Sequence, residues 1–255
     1  MKIKQLRAIF VLAVMLCVAG ILLLPASTLL GDRLASNKRV SVSSITGYWW
    51  QGEMNDLAID YRGYRVDVGR LRWQFDWLTL PSLRWCMQGA NSASKALIKA
   101  QVRLCYLLLE SRVQVVDTVI DLDAQTLAEI SGLEVAGQWR VNIATATIGN
   151  NRLLDVYGEA IWRHAQWHNG EGWFVLGDIL STFDSTQQST IEVNTTDIEG
   201  PLQMELTAVF SAQKEWAVTG FIEPYGKLPV SLAESLTLVS SRASGKRYYF
   251  DYQGR

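Results

Sequence analysis

The sequence predicts a mainly β protein in which one N-terminal transmembrane helix precedes a domain of curved, mostly antiparallel sheet with one or two short helices. Three observations predict it. From Val40 onward apolar and polar residues alternate with period two, as half-buried strands require. Residues 8–30 form an uncharged run of 23 residues. Clusters of Gly, Asn, Asp and Pro punctuate the alternation where turns are needed. The expected division is 1–30 for a tip and anchor and 31–255 for the β-rich domain.

Lys2, Lys4 and Arg7 precede the apolar run. About 20 apolar residues at 1.5 Å rise span a bilayer core. Residues 8–24 alone, 17 of them, are at the short end, and the tail through Pro25 to Leu30 extends the run. Basic residues on the N-terminal flank place that end in the cytoplasm, so the rest is exported. A cleaved signal peptide is the rival reading, since small residues at Ala26 and Ser27 fit its template. The apolar run exceeds a usual signal core, and no A-x-A follows it, which favours the anchor. Leu16 before Cys17 disfavours a lipoprotein. The whole chain has 24 basic and 25 acidic side chains, a net charge of −1. Without the three tip residues, 21 basic face 25 acidic, about −4 for the exported part. A pI near 6.2 argues against nucleic-acid binding, where a domain pI above about 9 is the rule.

Along the exported part, Val40 and Val42 alternate with serines, and Leu57, Ile59 and Tyr61 alternate with Ala58 and Asp60. Over 64–75 the apolar phase slips by one residue at Gly69 and Arg70, which reads as a β-bulge. Further strands are expected at 102–109, 111–121, 138–144, 153–162, 173–179, 190–194, 203–210, 216–222, 235–239 and 247–252, ten to twelve in all. A helix is expected at 123–132, with Asp123 as cap, Leu127 and Ile130 on one face and Gly132 as stop. Residues 228–235 are a candidate for a second short helical turn. Gly47 and Gly137 each stand two residues before a Trp, and each phrase leads to a further Trp, at Trp73 and Trp162. Two similar halves, 40–131 and 132–255, would account for this.

Beyond the membrane run the chain has two cysteines, Cys86 and Cys105, with 18 residues between them. In an oxidising periplasm such a pair can form a disulfide worth about 3 kcal/mol; two buried thiols are the other reading. His164 and His168 have the i, i+4 spacing of helical metal ligands, but they lie where a strand enters a Gly-rich turn, so turn histidines are expected. Glu53 and Asp56 read as solvated or capping carboxylates in a turn between strands. The chain has no phosphate-loop, nucleophile-elbow or paired C-x-x-C motif. No catalytic residue, cofactor or metal is expected. Ten tryptophans remain, five of them, Trp49, Trp50, Trp73, Trp77 and Trp85, within 37 residues. They suit a core clamped between two sheets, or a contact face for partners or lipid.

The phrase Gly47-Tyr48-Trp49-Trp50-Gln51-Gly52-Glu53-Met54, followed by Leu57, Gly63, Leu71, Trp73 and Leu78, resembles the N protein of the bacterial type II (general) secretion pathway. Gly137-Gln138-Trp139-Arg140-Val141 and Gly158 to Trp162 look like that family's second phrase. The resemblance implies a non-enzymatic, single-pass accessory component of the inner membrane. Its periplasmic domain would bind the machine's components C, L and M or the secretin as folded proteins are exported. It carries over no catalytic residues and does not account for Cys86 and Cys105. Gly47, Trp49, Trp50, Gly52, Glu53 and Trp73 become a partner-contact or packing motif, and β-augmentation at a sheet edge is the natural mode. The same phrase is similar to the opening of AsmA-type β-groove proteins, which implies lipid binding or transfer in the envelope. A filled two-sheet core would favour the scaffold; an open apolar trough would favour lipid.

Overall fold

The computed structural model describes every residue except 1, 38, 62, 92–97, 125–131, 133, 151, 169, 171, 187–189, 212–214 and 255. The period-two alternation becomes a single open antiparallel sheet of 15 strands. In chain order these are β1 (Val40–Ser41), β2 (Ser44–Tyr48), β3 (Gln51–Tyr61), β4 (Tyr64–Asp76), β5 (Arg84–Asn91), β6 (Ile98–Leu107), β7 (Arg112–Asp123) and β8 (Val135–Gly149). They continue through β9 (Arg152–His168), β10 (Trp173–Thr186), β11 (Thr190–Glu199), β12 (Leu202–Phe210), β13 (Trp216–Pro224), β14 (Arg242–Ser244) and β15 (Arg247–Gly254). From β3 to β13 each strand pairs with the next in sequence. The edges are short: β1 and β2 both pair with β3 at one side, and three-residue β14 closes the other beside β15.

Register divides the sheet into unlike faces, because residues directly opposite each other point the same way. One face carries Leu71, Trp73 and Phe75 of β4 opposite Asn91, Gly89 and Met87 of β5. It continues through Leu104 and Val115, then Trp139 and Trp162, then Ile179, and reaches Met204 and Ile222 in β12 and β13. The opposite face carries Arg72 and Gln74 opposite Ala90 and Gln88, and its ladders are ionic: Glu53 with Arg72 at 2.7 Å, Asp121 with Arg140 at 2.6 Å, Glu223 with Arg247 at 2.7 Å.

The bulge expected at Gly69 is present. Ala58 pairs with Asp67 and Leu57 with Gly69, so Val68 is left over, and Gly69 takes φ +74°. β3 answers with its own irregularity at Asp56, φ +52°.

Only part of the apolar face is covered. Helix α3 (Val230–Val239) follows Pro229 and lays Leu232 and Leu236, one turn apart, on Ala165, Ile179, Met204 and Ile222. Further along, Trp85, Leu104, Val113, Ile148 and Leu153 of the same face are exposed. The total accessible surface is 17046 Å², against about 11,000 Å² for a compact protein of this mass. The expected curved antiparallel sheet is thus one sheet with a partly open apolar face, and of the two roles open to the tryptophans, clamping two layers does not apply.

Other elements depart from the sequence reading. The run 8–30 is not one helix: α1 (Lys2–Leu22) ends before Pro25, which bridges to Tyr48, and α2 (Ala26–Ser36) begins with a buried Ala26 and packs on β2. Proline lacks the N–H that would continue the ladder. Among the described residues no helix is long and apolar enough to cross a membrane. The α1 backbone runs 21 residues, with side chains described, and exposed, from Phe10 onward. Residues 235–239 are the end of α3 rather than a strand, since Leu232 and Leu236 follow helical spacing. The helix expected at 123–132 lies almost wholly outside the described residues; Asp123 itself ends β7. β2, β5 and β14 are strands that the alternation did not disclose. β7 and β8 pair continuously from Val113–Ile148 to Asp123–Gln138, so the proposed halves would be two stretches of one sheet.

Cys86 and Cys105 are direct cross-strand neighbours in β5 and β6, both buried, and form a disulfide with a Cα–Cα distance of 4.0 Å. Replacing both by Ala is expected to lower unfolding stability by about 3 kcal/mol, measured by denaturant titration. Alkylation of the unfolded, unreduced protein should modify Cys17 alone; modification of the other two would refute the bridge.

Candidate functional site

Gly47 pairs with Gly52 and Tyr48 with Gln51, which leaves Trp49 and Trp50 as the two-residue turn between β2 and β3. Most hairpins put Gly, Asn or Asp there. Here two indoles are carried past the end of the sheet onto the end of α1. Trp49 Nε1 donates to the Ile21 carbonyl at 2.8 Å, and Trp50 Nε1 donates to the Leu22 carbonyl at 2.9 Å. The Trp49 amide donates to the Leu24 carbonyl at 3.4 Å. An α-helix leaves its last four carbonyls without intrahelical partners, and these indoles satisfy two of them.

The glycines follow from this turn. Gly47 has φ +91°, and a Cβ there would lie 2.5 Å from the Gln51 carbonyl oxygen. A Cβ on Gly52 would lie 2.3 Å from the Trp73 ring and 2.5 Å from the Thr46 carbonyl oxygen. Trp73 is buried against Gly52, and its Nε1 donates back to the Trp49 carbonyl at 3.2 Å. Beyond it, Phe75 and Trp77 lie 4.7 Å apart by ring centroid, and Trp77 lies 6.0 Å from both Trp49 and Trp50. The spacing G-x-x-x-x-G followed by Trp73 is thus the packing of a hairpin tip, an aromatic cluster and a helix end.

Glu53 sits in strand β3 on the polar face, not in a turn. It pairs with Arg70 at 3.2 Å and Arg72 at 2.7 Å, and the Arg72 hydrogen bond holds its carboxyl below the ordinary glutamate range. Asp56, also in β3, accepts from Ser43 Oγ at 2.8 Å. These carboxylates are charged structural partners rather than a proton-transfer pair. Beside the hairpin a groove of about 820 Å³ is lined by Trp50, Glu53, Arg72, Gln88, Arg103 and Asp117. Arg103 is paired with Asp76 at 2.7 Å. The groove mixes apolar side chains such as Trp73 and Val102 with the paired charges of Glu53, Arg72 and Arg103.

The second phrase repeats the glycine-under-tryptophan device. Gly137 has φ +114°, and a Cβ there would lie 2.9 Å from Trp162 Nε1. Trp162 stacks on Trp139 at 4.9 Å and donates to the Ala136 carbonyl at 3.1 Å. His164 is a bulged residue of β9, φ +49°, whose amide donates to Asp178 at 2.7 Å; His168 pairs with Glu134. Along a strand, residues four apart are about 13 Å apart, too far to share a metal. No group of three metal-ligating side chains occurs among the described residues.

A model of the type II secretion system (T2SS), protein N, matches residues 38–250, which spans both phrases. The chain belongs to that family. The family is a non-catalytic component of the secretion machinery, which makes the chain an accessory component of that system and implies contacts with its other components. No curated protein and no solved structure matches the chain. The sequence marked Gly47, Trp49, Trp50, Gly52, Glu53 and Trp73, and the structure brings all six to one end of the sheet. It did not mark Ile21, Leu22 or Phe75 for this site, and it set Trp77 only among the clustered tryptophans; the signals for the joint were Pro25 interrupting the apolar run and two tryptophans where a turn former belongs.

Gly52→Ala is expected to cost about 1–3 kcal/mol through overpacking against Trp73, read as a fall in denaturation midpoint. Lowering of the Glu53 pKa gives a signed pH effect. The Arg72 pair stabilises fully above the unfolded-state glutamate pKa and is lost as pH falls through the lower folded-state value. The melting temperature of Glu53→Gln should therefore lie below that of the parent at neutral pH and converge with it in acid. A constant difference down to low pH would exclude the charge pair as the cause.

Proposed function

We propose that this chain is a non-enzymatic, single-pass inner-membrane accessory component of the type II secretion machine, with a cytoplasmic N-terminus and a periplasmic sheet. Lys2, Lys4 and Arg7 suit the cytoplasmic side, and Trp49 and Trp50 at the far end of α1 suit the other interface, where aromatic residues concentrate. Residues 8–22, the uncharged part of α1, at 1.5 Å per residue reach about 22 Å, short enough to need snorkelling lysines or local thinning. The observation that carries the reading is the partly uncovered apolar face. The sheet edges end in the short strands β1, β2 and β14, of two, five and three residues, which offer less room for strand addition than the apolar face offers for docking. Other components of the machine, C, L, M or the secretin, would dock there.

A lipid-groove reading of the AsmA kind is favoured by one specific observation: no second sheet closes the apolar face among the described residues, so an acyl chain could lie along it. Photocrosslinkers placed at Leu104 and Ile148 in cells distinguish the two. Adducts with secretion-machine subunits, absent when the crosslinker is placed at Ala243 in β14, are expected. Phospholipid adducts alone would move the assignment to the groove.

A further inference from the structure

We propose that the turns 77–83 and 107–109 form a second membrane contact, dipping into the surface of the same bilayer from which α1 emerges. The inference rests on the reading of α1 as an anchor. Because successive strands are antiparallel, the β2–β3, β4–β5 and β6–β7 turns all lie at one end of the sheet. That end is the one fastened to α1 through Trp49 and Trp50.

The β4–β5 connection begins with the 3₁₀ turn Trp77–Ser82, whose Trp77 ring packs on both of those indoles. The turn therefore shares the depth of the helix end. Residues 77–83, Trp-Leu-Thr-Leu-Pro-Ser-Leu, carry no charge, and Leu78 is 91% exposed. Three leucines, 107–109, carry the end of β6 into the neighbouring β6–β7 turn, and Leu109 is 83% exposed. The Leu108 amide donates to the Leu83 carbonyl at 3.2 Å, so the two tips are joined.

Turn tips normally select Gly, Asn, Asp, Ser or Pro for their local hydrogen bonding and backbone freedom. Leucines at 78 and 109 do nothing for the turn geometry, and in water they leave contiguous apolar surface exposed. A bilayer interface removes that cost. Trp85 and Tyr106, a cross-strand pair at the same end, add exposed aromatic rings of the type found at the headgroup level. Arg84 follows the first apolar tip directly, where it can reach a headgroup phosphate; the second tip is followed by Glu110, Ser111 and Arg112, and Arg112 pairs with Glu110 at 3.1 Å.

The test uses the full chain reconstituted in phospholipid vesicles, in a Cys17→Ala background with the Cys86–Cys105 bridge intact. A nitrobenzoxadiazole label is placed at Leu78→Cys, Leu109→Cys, Leu12→Cys in α1, or Ile198→Cys, which is exposed in β11 near the opposite end of the sheet. Labels at 78 and 109 are expected to show blue-shifted emission, quenching by doxyl lipids and protection from aqueous iodide, while the label at 198 shows the reverse. If position 12 is quenched by lipid but 78 and 109 only by iodide, the turns are not a membrane contact and the anchor stands. If none of the three reports lipid, the anchor reading falls and this inference with it. Blue-shifted labels at 78 and 109 that ignore doxyl lipid would mean burial against protein, which also overturns it.

Discussion

The carbonyls at the end of α1 have no partners within the helix, and wherever that end sits in a poorly hydrated environment they must find donors. The Leu23 and Leu24 amides serve the Ala19 and Ile21 carbonyls, and Trp49 and Trp50, the two residues that β2 and β3 need for a turn, add indole donors to Ile21 and Leu22. This constraint organises its surroundings. The indoles can reach only if the hairpin is tight, the hairpin is tight only with glycines at 47 and 52, and the space under Gly52 is what admits Trp73. Trp73, Phe75 and Trp77 then extend the contact from the helix end to the turn after β4. A motif that looks like a surface signature is a joint between a helix and a sheet.

The rest of the sheet follows from an unequal division of faces. Ion-pair ladders on one side need no cover, whereas the apolar side does, and α3 supplies it only around Ile179, Met204 and Ile222. The remainder of that side keeps exposed aliphatic and aromatic residues, at a cost in solution that a partner or a lipid would remove. In the proposed function this face is the surface that a partner or a lipid would cover. The two apolar turns beside Trp77 extend the same logic to the end of the sheet nearest α1.

Much of this was legible because period two is a local property. The alternation at 138–144, 153–162 and 203–210 marked β8, β9 and β12 correctly, and the phase slip marked the bulge at Gly69 to within a residue. β5 escaped because one of its faces, Arg84, Cys86, Gln88 and Ala90, mixes charged, polar and small residues and the other ends in Gly89 and Asn91, so it has no clean apolar row. Residues 235–239 misled for the opposite reason: Leu236, Leu238 and Val239 are apolar enough for a strand, and only packing on the sheet shows that Leu232 and Leu236 are one helical turn apart. The candidate site was legible as a set of residues but not as a joint, since nothing local connects Trp49 to Ile21.

From the sequence alone came the β class, the apolar N-terminal run with its basic flank, the pairing candidates Cys86 and Cys105, and the glycine-tryptophan phrases that carry the family. Each is written in neighbouring residues, through periodicity, hydropathy or composition. Only the tertiary structure decided that there is one sheet and not two, that Pro25 divides the apolar run, and that the paired indoles cap the helix across 28 positions of chain. Those outcomes depend on which face meets which, and the hydrogen-bond partners involved lie too far apart in sequence for any local pattern to record.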